Sequence, residues 1–547
     1  MNLSPSLNGI VAPGGGPMTG PSRRIIRFIP PLKSADMGVC YGSALARGPH
    51  RLQTCHKLRV ARFVRPQERR MSNRRTRREL LKLTSAGVAA MVQGAPGQAQ
   101  ISTGSTRPFG EIAVRITAGA KRYAQESPLR WQPERGPSDE SILVDPKRSF
   151  QDILGFGAAF TEAACYHLHG LPPPSRERLF RELFHPSEMG FSVCRLCIGA
   201  SDYAARMYSF DEGEPDPELR RFSVDHDHEC ILPVLLLARR VNPDLFLLGS
   251  PWSPPGWMKT GGSMLGGSMR KKFFPAYARY LAKFVQAYAA AGVPVNAVTV
   301  QNEVDTDQDG NMPACLWGQE YEMEFVADHL GPQFAKDRIA AKIWILDHNY
   351  SLWGRAICEL DDPGVRRYVD GVAWHGYAGQ SSAMTLVHEA HPDKHMYWTE
   401  GGPDLRDPRY QTDWTRWSAT FAGILRNWAR CIIGWNLALD EAGKPNIGPF
   451  ACGGLVTIDS KSREITRSGQ YWAFAHYARA IRRGARRLES SSKIEGVTHV
   501  AFVNPDGTNA LVVTNAGAGK RAVLRMSGME AAISLAEDSV TTLTWHS

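Results

Sequence analysis

The sequence of 547 residues has no apolar run of the roughly 18 residues needed to span a membrane, so we expect no membrane-spanning segment. Its net charge is +11, yet the basic excess is missing from most of the chain. Residues 1–100 hold 17 Lys and Arg against three Asp and Glu, whereas residues 101–547 hold 48 against 51. A nucleic-acid-binding protein concentrates basic charge on its folded domain. We therefore expect no nucleic-acid partner.

Motifs for metal and phosphate binding are also missing. Cys194 and Cys197 form a lone C-x-x-C, with no second pair and no histidines at matched spacing, as zinc sites require. A Gly-rich run at 261–267 lacks the Lys-Ser/Thr ending of a phosphate loop. We expect no metal ion and no cofactor. Of the ten cysteines, two lie in residues 1–100, and most of the other eight are predicted to be buried thiols.

The first 100 residues look unlike a domain and are predicted to be a leader. In residues 71–99, the pair Arg77-Arg78 precedes a short apolar run and an Ala-Pro-Gly segment that ends at Ala99. This segment resembles a bacterial twin-arginine export signal; the alternative is a frayed amphipathic helix. The resemblance implies a periplasmic or secreted protein, and it leaves open whether residues 1–70 are an untranslated extension.

Strand patterns alternate with helical patterns for more than 300 residues after residue 150. Eight strands are predicted, at residues 153–157, 191–198, 245–248, 296–301, 342–346, 371–375, 396–399 and 431–437. Helical patterns separate them, and a last one follows the eighth strand. Eight such units indicate an α/β fold in which a parallel sheet closes into a (β/α)8 TIM barrel. We assign this barrel to residues 151–484.

Short alternating strands replace this pattern in residues 485–547, with turns such as Pro505-Asp506-Gly507 between them. They are typical of an antiparallel β-sandwich. Residues 101–150 contain further short strands that are too few to form a domain alone. We predict that both chain ends pair to form one appended β-sandwich, because each would otherwise expose strand edges.

Two predicted barrel strands deliver a glutamate at or just past their carboxyl ends: Glu303 after the fourth strand and Glu400 after the seventh. A parallel barrel keeps its chemistry at these ends. A single glutamate is usually a solvated surface acid, but two in apolar surroundings at strand ends can face each other across a sugar ring. The pattern favours a retaining glycoside hydrolase, in which one carboxyl donates a proton and the other attacks the anomeric carbon.

Further motifs at predicted strand ends carry a resemblance to glycoside hydrolase family 30, the glucosylceramidase-like family. They are Gly155-Phe-Gly-Ala-Ala-Phe-Thr161, Arg195-Leu-Cys-Ile-Gly-Ala-Ser-Asp202, Ser250-Pro-Trp-Ser-Pro-Pro-Gly-Trp257, Gln301-Asn302-Glu303, His375-Gly-Tyr377, Trp398-Thr-Glu-Gly401 and Gly434-Trp-Asn-Leu-Ala-Leu439. The resemblance covers roughly residues 151–483. It implies a barrel with a β-sandwich built from both chain ends, in agreement with the segmentation.

The resemblance also implies roles for individual residues. Glu303 would be the acid/base and Glu400 the nucleophile, with Asn302 on the sugar 2-hydroxyl. The other implied substrate-binding residues line the sugar site or support the nucleophile: Asp202 and Trp252 on ring hydroxyls, Trp435 as an apolar wall, Arg195 as a cation that keeps Glu400 ionised, and His375 and Tyr377 as hydrogen-bonding neighbours of Glu400. Plainer alternatives stay open for three of them: a core tryptophan for Trp435, a barrel ion pair for Arg195 and a satisfied core histidine for His375.

The implied substrate is a β-linked glucoside, glycolipid or glucan, cleaved by double displacement. Glucosylceramide gives the family its name, and endo-β-1,6-glucanase and β-xylosidase activities are alternatives on the same scaffold. A non-catalytic glycan-binding barrel is a further alternative, against which both carboxylates argue. Val304 stands where family members usually carry proline, so we expect a less constrained backbone after Glu303. Residues 305–310 resemble a Ca²⁺ loop but lack its final glutamate, and we assign them to the substrate-binding loop.

Overall fold

A computed structural model of the protein describes residues 110–546. The predicted leader, the twin-arginine segment at 71–99, Cys40 and Cys55 lie outside the described residues. The described chain begins with four strands that belong to the sandwich: β1 Ile112–Ala118, β2 Lys121–Leu129, β3 Gln132–Pro133 and β4 Ser141–Asp152.

Eight parallel strands follow and close into a barrel: β5 Gly155–Phe160, β6 Val193–Cys197, β7 Phe246–Ser250, β8 Ala297–Thr299, β9 Lys342–Asn349, β10 Val369–His375, β11 His395–Glu400 and β12 Ala429–Asn436. Their order around the barrel follows the chain, and β12 pairs with β5 to complete the ring. All eight predicted strands are present. Alternating residues of these strands fill the interior, where Trp344 stacks on Tyr397 with ring centroids 3.7 Å apart.

The helices that cover the barrel are α1 Glu162–His169, α2 Pro173–Phe184, α3 Ile231–Val241, α4 Phe274–Ala290, α5 Gln319–Glu324, α6 Gly331–Asp337, α7 Trp353–Asp361, α8 Pro363–Arg366, α9 Ala383–Ala390, α10 Trp414–Arg426 and α11 Gly469–Ala478. A π-helical turn at Phe325–Leu330 joins α5 to α6. Thr161 caps the N-terminus of helix α1, and its hydroxyl accepts a hydrogen bond from the backbone N–H of Ala164 (3.1 Å). Such an N-cap satisfies one of the free N–H groups of the first turn.

After the barrel come a small three-stranded sheet, β13 Ala438–Leu439, β14 Val456–Ile458 and β15 Ile465–Arg467, and then the rest of the sandwich: β16 Arg486–Ser492, β17 Val497–Val503, β18 Thr508–Asn515, β19 Lys520–Met526, β20 Met529–Leu535 and β21 Ser539–His546. The sandwich strands lie in the order β2-β1-β21-β18-β17-β16-β4-β19-β20-β3. Strand β1 pairs with β21, and β4 pairs with both β16 and β19. The predicted fold class, including a sandwich built from both ends, is confirmed.

Helices α10 and α11 attach the sandwich to the barrel. Trp414 of α10 donates from Nε1 to the carbonyl of Asp538 (2.9 Å), just before β21. His476 of α11 is fully buried between the hydroxyls of Thr117 in β1 and Thr542 in β21, each 2.8 Å away. The two bodies therefore share polar contacts that involve the first and last strands.

All eight cysteines in residues 110–546 are free thiols, and six of them are buried. The prediction of buried thiols is confirmed for these six: Cys165, Cys194, Cys197, Cys230, Cys315 and Cys431. Among the described residues, no helix is long and apolar enough to cross a bilayer.

Candidate active site

A pocket of about 480 Å³ opens at the carboxyl ends of the barrel strands. Its lining is Asp202, Trp252, Asn302, Glu303, Thr306, Gln308, Met312, His348, Asn349, Tyr377, Glu400, Trp435, Phe450 and Cys452. Seven of the nine residues named from the sequence therefore lie on one surface. The other two, Arg195 and His375, are fully buried beneath it.

Glu303 reaches the pocket from a strained turn after β8. The strand itself ends at Thr299, and Glu303 has a left-handed φ of +55°, which is uncommon for a residue with a Cβ. The turn is fixed because the Glu303 N–H donates to the carbonyl of Asp347 (3.0 Å) and the Gln308 side chain donates to Glu303 Oε2 (2.9 Å).

Val304 holds the next part of this turn. Its side chain is fully buried, and its carbonyl accepts a hydrogen bond from the Trp317 N–H (2.7 Å). Packing thus supplies the constraint that a proline ring would give. The residues that follow belong to the pocket, as predicted, because Thr306 and Gln308 line it.

Glu400 ends β11 and points into the same pocket. The Arg195 guanidinium donates to its Oε2, and the Tyr377 hydroxyl donates to its Oε1 (3.0 Å). Only 6% of Glu400 is exposed. Both predicted contacts of Glu400, with Arg195 and with Tyr377, are present.

Arg195 organises the floor of the pocket. Besides Glu400 it contacts Ser250 Oγ (3.1 Å), Asn302 Oδ1 (2.7 Å) and Asp347 Oδ2 (2.6 Å). Burial by itself would lower the pKa of Arg195, but the charges of Asp347 and Glu400 outweigh burial and raise it. The guanidinium therefore stays charged and is both a barrel ion pair and the cation beside Glu400.

Asp347 is a central residue of the site that sequence reasoning missed. Its carboxylate is fully buried and accepts from Arg195, His375 and three hydroxyls, those of Ser250, Thr299 and Thr399, at 2.6–3.0 Å. Burial would raise the pKa of Asp347, but Arg195 and then His375 and Thr399 hold it well below its usual range. The fifth strand was predicted to end at residue 346, whereas β9 continues to Asn349. An aspartate directly after that apolar run was the available signal.

His375 connects the two glutamates. It donates from Nδ1 to Glu303 Oε1 (3.3 Å) and from Nε2 to Asp347 Oδ1 (3.0 Å), and Nε2 also lies 3.9 Å from Glu400 Oε2. Burial would lower the pKa of His375, but the surrounding carboxylates, Glu400 first, raise it to about 9. His375 was expected beside Glu400, and its hydrogen bonds go to Glu303 and Asp347 instead.

The pKa of Glu303 responds to the same contact. Burial would raise it, but the hydrogen bond and the positive charge of His375 lower it below its usual range. Glu303 and His375 are close enough to titrate as a pair. The two shifts, down for the pKa of Glu303 and up for that of His375, both favour the proton on His375.

One side of the pocket combines aromatic and polar groups. Trp252 and Trp435 stack with ring centroids 5.1 Å apart. Burial, followed by the charges of Glu400 and Glu303, raises the pKa of Asp202 well above its usual range, and its Oδ1 accepts no hydrogen bond from the described residues. Because Asn302 Oδ1 accepts from Arg195, its amide nitrogen is left to donate into the pocket. These groups suit a ligand with many hydroxyls.

Two family models match the chain. The glycosyl hydrolase family 30 TIM-barrel domain matches residues 153–481, more than half of the chain, and the family's β-sandwich domain matches residues 484–543. The chain belongs to glycosyl hydrolase family 30. It is accordingly a glycosidase of the β-glycoside hydrolase type, as the carboxylate pair predicted.

Curated relatives and solved structures agree with this assignment. The chain is 32% identical over 69% of its length to an endo-1,6-β-D-glucanase of Neurospora crassa, of which the match covers 79%. It is 27% identical over 68% of its length to the lysosomal acid glucosylceramidase of Mus musculus, of which the match covers 77%. The solved structure of the endo-β-1,6-glucanase BT3312 matches with a TM-score of 0.73 and 27% identity, over 80% of this chain and all of that one.

Proposed function

We propose that this glycosidase hydrolyses β-glucosidic bonds with retention of configuration, with Glu400 as the nucleophile and Glu303 as the acid/base. The observation that carries the proposal is that Glu303 and Glu400 line the same pocket at the carboxyl ends of the barrel strands in a chain that matches the family 30 barrel. A retaining mechanism needs two such carboxyls, one as proton donor and one as nucleophile, about 5 Å apart.

In the first step, a Glu400 oxygen attacks the anomeric carbon while the glycosidic C–O bond breaks. The leaving oxygen takes a proton from Glu303, and a glycosyl–Glu400 ester forms. In the second step, Glu303 removes a proton from water, whose oxygen attacks the anomeric carbon. The ester bond breaks and the Glu400 carboxylate is regenerated.

The proton for the first step is supplied by the His375–Glu303 pair. It resides on His375 when the pocket holds water, because His375 is surrounded by carboxylates. A bound sugar displaces that water and disfavours the charged carboxylate. The proton then moves along the 3.3 Å contact from Nδ1 to Glu303 Oε1.

Arg195, Tyr377 and Asn302 prepare the transition state. Arg195 places a positive charge beside Glu400 and fixes its orientation, and Tyr377 hydrogen-bonds the other oxygen of the nucleophile. The Asn302 amide donates to the sugar 2-hydroxyl, where hydrogen bonds strengthen as positive charge develops on the ring.

For the substrate we propose β-1,6-linked glucan first. The supporting observation is the similarity to the endo-1,6-β-D-glucanase of Neurospora crassa and to the solved endo-β-1,6-glucanase. Glucosylceramide, and with it a role in sphingolipid metabolism, is the second candidate, supported by the similarity to the mouse lysosomal glucosylceramidase.

A substrate panel tests the proposal. Purified enzyme is incubated with β-1,6-glucan, glucosylceramide, β-1,3-glucan and xylobiose, and the products are followed by chromatography. We expect gluco-oligosaccharides from β-1,6-glucan and little release from β-1,3-glucan. Turnover of glucosylceramide but not of β-1,6-glucan would make glucosylceramide the preferred substrate. Cleavage of xylobiose alone would contradict glucoside specificity. Product configuration, read by NMR during the first turnovers, must be β.

A further inference from the structure

Three potential metal ligands converge on one wall of the pocket. One potential ligand atom each from Glu303, His348 and His375 lie within 4.8 Å of one another. Glu303 Oε1 is 3.3 Å from His375 Nδ1 and 3.6 Å from His348 Nδ1. Two ligand atoms at roughly 2.0–2.1 Å from one tetrahedral zinc lie about 3.3–3.4 Å apart. The two distances to Glu303 Oε1 are close to this value, and a shared metal ion would draw the two imidazole ligand atoms, which lie within 4.8 Å of each other, closer together.

Both imidazoles are oriented from behind by a carboxylate. His348 Nε2 contacts Asp305 Oδ1, and His375 Nε2 lies 3.0 Å from Asp347 Oδ1. Metal-binding histidines usually give their second ring nitrogen to a carboxylate in this way, which fixes the ring and makes the ligating nitrogen more basic. In both residues the nitrogen that remains is Nδ1, and it faces Glu303.

The Nδ1 nitrogen of His348 is buried and lacks a hydrogen bond within residues 110–546. The residue is only 6% exposed, and Nδ1 has no hydrogen-bond partner among the described residues. The nearest carboxylate oxygen, Glu303 Oε1, lies 3.6 Å from Nδ1, which is beyond ordinary hydrogen-bond distance. A cation between the two would satisfy both groups and remove the cost of a buried unpaired nitrogen.

The surrounding charge also favours a dication. Four carboxylates, those of Glu303, Asp305, Asp347 and Glu400, lie around the two imidazoles, with Arg195 as the permanent cation among them. Two imidazole nitrogens and one carboxylate oxygen suit zinc and its transition-metal neighbours better than Mg²⁺ or Ca²⁺. Glu303 and His348 line the pocket, so a metal held here would have an open position toward the substrate.

We propose that Glu303, His348 and His375 form a Zn²⁺ site that inhibits the enzyme. Zinc would replace the proton that His375 shares with Glu303, and that proton would leave to solvent. The bound ion would occupy the Glu303 carboxylate and part of the sugar site. Binding depends only on the three ligands, whereas inhibition also rests on the proposed acid/base role of Glu303.

The test is calorimetric titration of metal-free enzyme with Zn²⁺, with Mg²⁺ as the control ion. We expect one Zn²⁺ per chain at micromolar affinity or tighter and no comparable binding of Mg²⁺. The variant His348→Ala should weaken Zn²⁺ binding at least ~100-fold, whereas the exposed His169→Ala should bind as the wild type does. Because His348→Ala removes a buried ring, Asp305→Asn is the milder variant, with an expected loss of roughly 10–100-fold.

Two further measurements distinguish a failure of the proposed zinc site from a failure of the proposed function. Co²⁺ in place of Zn²⁺ should give the intense visible absorption of a four-coordinate ion in the wild type and lose it in His348→Ala. Equal Zn²⁺ affinity in wild type and both pocket variants would overturn the site. Tight Zn²⁺ binding with undiminished hydrolysis of a β-glucoside would overturn inhibition and contradict the role of Glu303. An enzyme that binds Zn²⁺ as expected but hydrolyses no β-glucoside would contradict only the substrate assignment.

Discussion

In the proposed mechanism Glu400 and Glu303 have different roles, and replacing each by glutamine should distinguish them. In Glu400→Gln the nucleophile is gone while its shape and its contact with Arg195 are largely kept. We expect kcat to fall by on the order of 10⁴–10⁶-fold. In the wild type, a 2-deoxy-2-fluoro-glucoside with a good leaving group should label Glu400, as read by peptide mass spectrometry. The exposed Glu320→Gln is the matched control with normal activity, and a label on any other residue would refute the assignment.

The variant Glu303→Gln should behave in another way, because it loses only proton transfer. Hydrolysis of unactivated glucosides should fall by roughly 10²–10⁴-fold. A dinitrophenyl glucoside, whose leaving group needs no proton, should form the glycosyl–enzyme nearly as fast as in the wild type. Added azide should then speed turnover and yield the β-glucosyl azide. Equal losses on both substrates, with no effect of azide, would show that Glu303 is not the acid/base.

Most of this site could be predicted from side-chain type and position, because a catalytic carboxylate at a strand end follows from the fold. What could not be predicted is the contribution of Asp347, which lies beneath the pocket, and of His348, which lines it. Asp347 and His348 follow an apolar run and look like the start of a polar loop. The backbone instead continues as strand, with left-handed φ values of +72° at Leu346 and +46° at Asp347. The left-handed residues lie at a bulge, where β9 shifts register against β10, and tertiary contacts such as the bond from the Glu303 N–H to the Asp347 carbonyl hold it.

Individual strands were predictable to the extent that burial shaped their composition. The barrel strands are apolar runs, and all eight were recognised. Strand β2 was not assigned individually from the sequence, because it is mostly polar, charged and at least partly exposed at a sheet edge, where composition resembles a loop. The fourth barrel strand was predicted over six residues but spans three, since the chain leaves the sheet early to form the turn that presents Glu303.

The contact between helix α11 and the sandwich should make stability depend on pH. Burial, helped by the charge of Arg479, lowers the pKa of His476 to about 3, against 6.5 for a free histidine. As pH falls from 6.5 toward 3, the unfolded chain therefore gains this proton before the folded one does. Stability from this group is present above pH 6.5 and is lost below it, by about 2 kcal/mol at pH 5.

The variant His476→Gln tests this expectation. It should be less stable than the wild type at pH 7.5, because the bridge between Thr117 and Thr542 is weakened. Between pH 7.5 and 5 it should lose about 2 kcal/mol less than the wild type does. Urea unfolding at several pH values measures both effects, with the exposed His169→Gln as control. The same pH slope in all three proteins would mean that His476 is not held neutral.

For the chain as a whole, the difference in net charge between residues 1–100 and the rest is the clearest sign in the sequence that the first 100 residues are a separate segment. We propose that residues 71–99 direct twin-arginine export. Replacing Arg77 and Arg78 by lysine should retain the protein in the cytoplasm of a Gram-negative host, as measured by fractionation. The chain contains its own control, since Arg74 and Arg75 form a second pair. Lysine at 74 and 75 should leave export unchanged, and equal effects of both double variants would count against the signal.

The pairing of β1 with β21 sets the order of events when the protein is made. Ala113 of β1 lies opposite Thr544 of β21. A ribosome that adds about 5–20 residues per second needs roughly 20–90 s to pass from one to the other. During that interval β1 has an open edge on the side where β21 will add, and His476 of α11 lacks its Thr542 partner. The nascent chain therefore exposes a sheet edge that is open to strand-to-strand aggregation until β21 has been made.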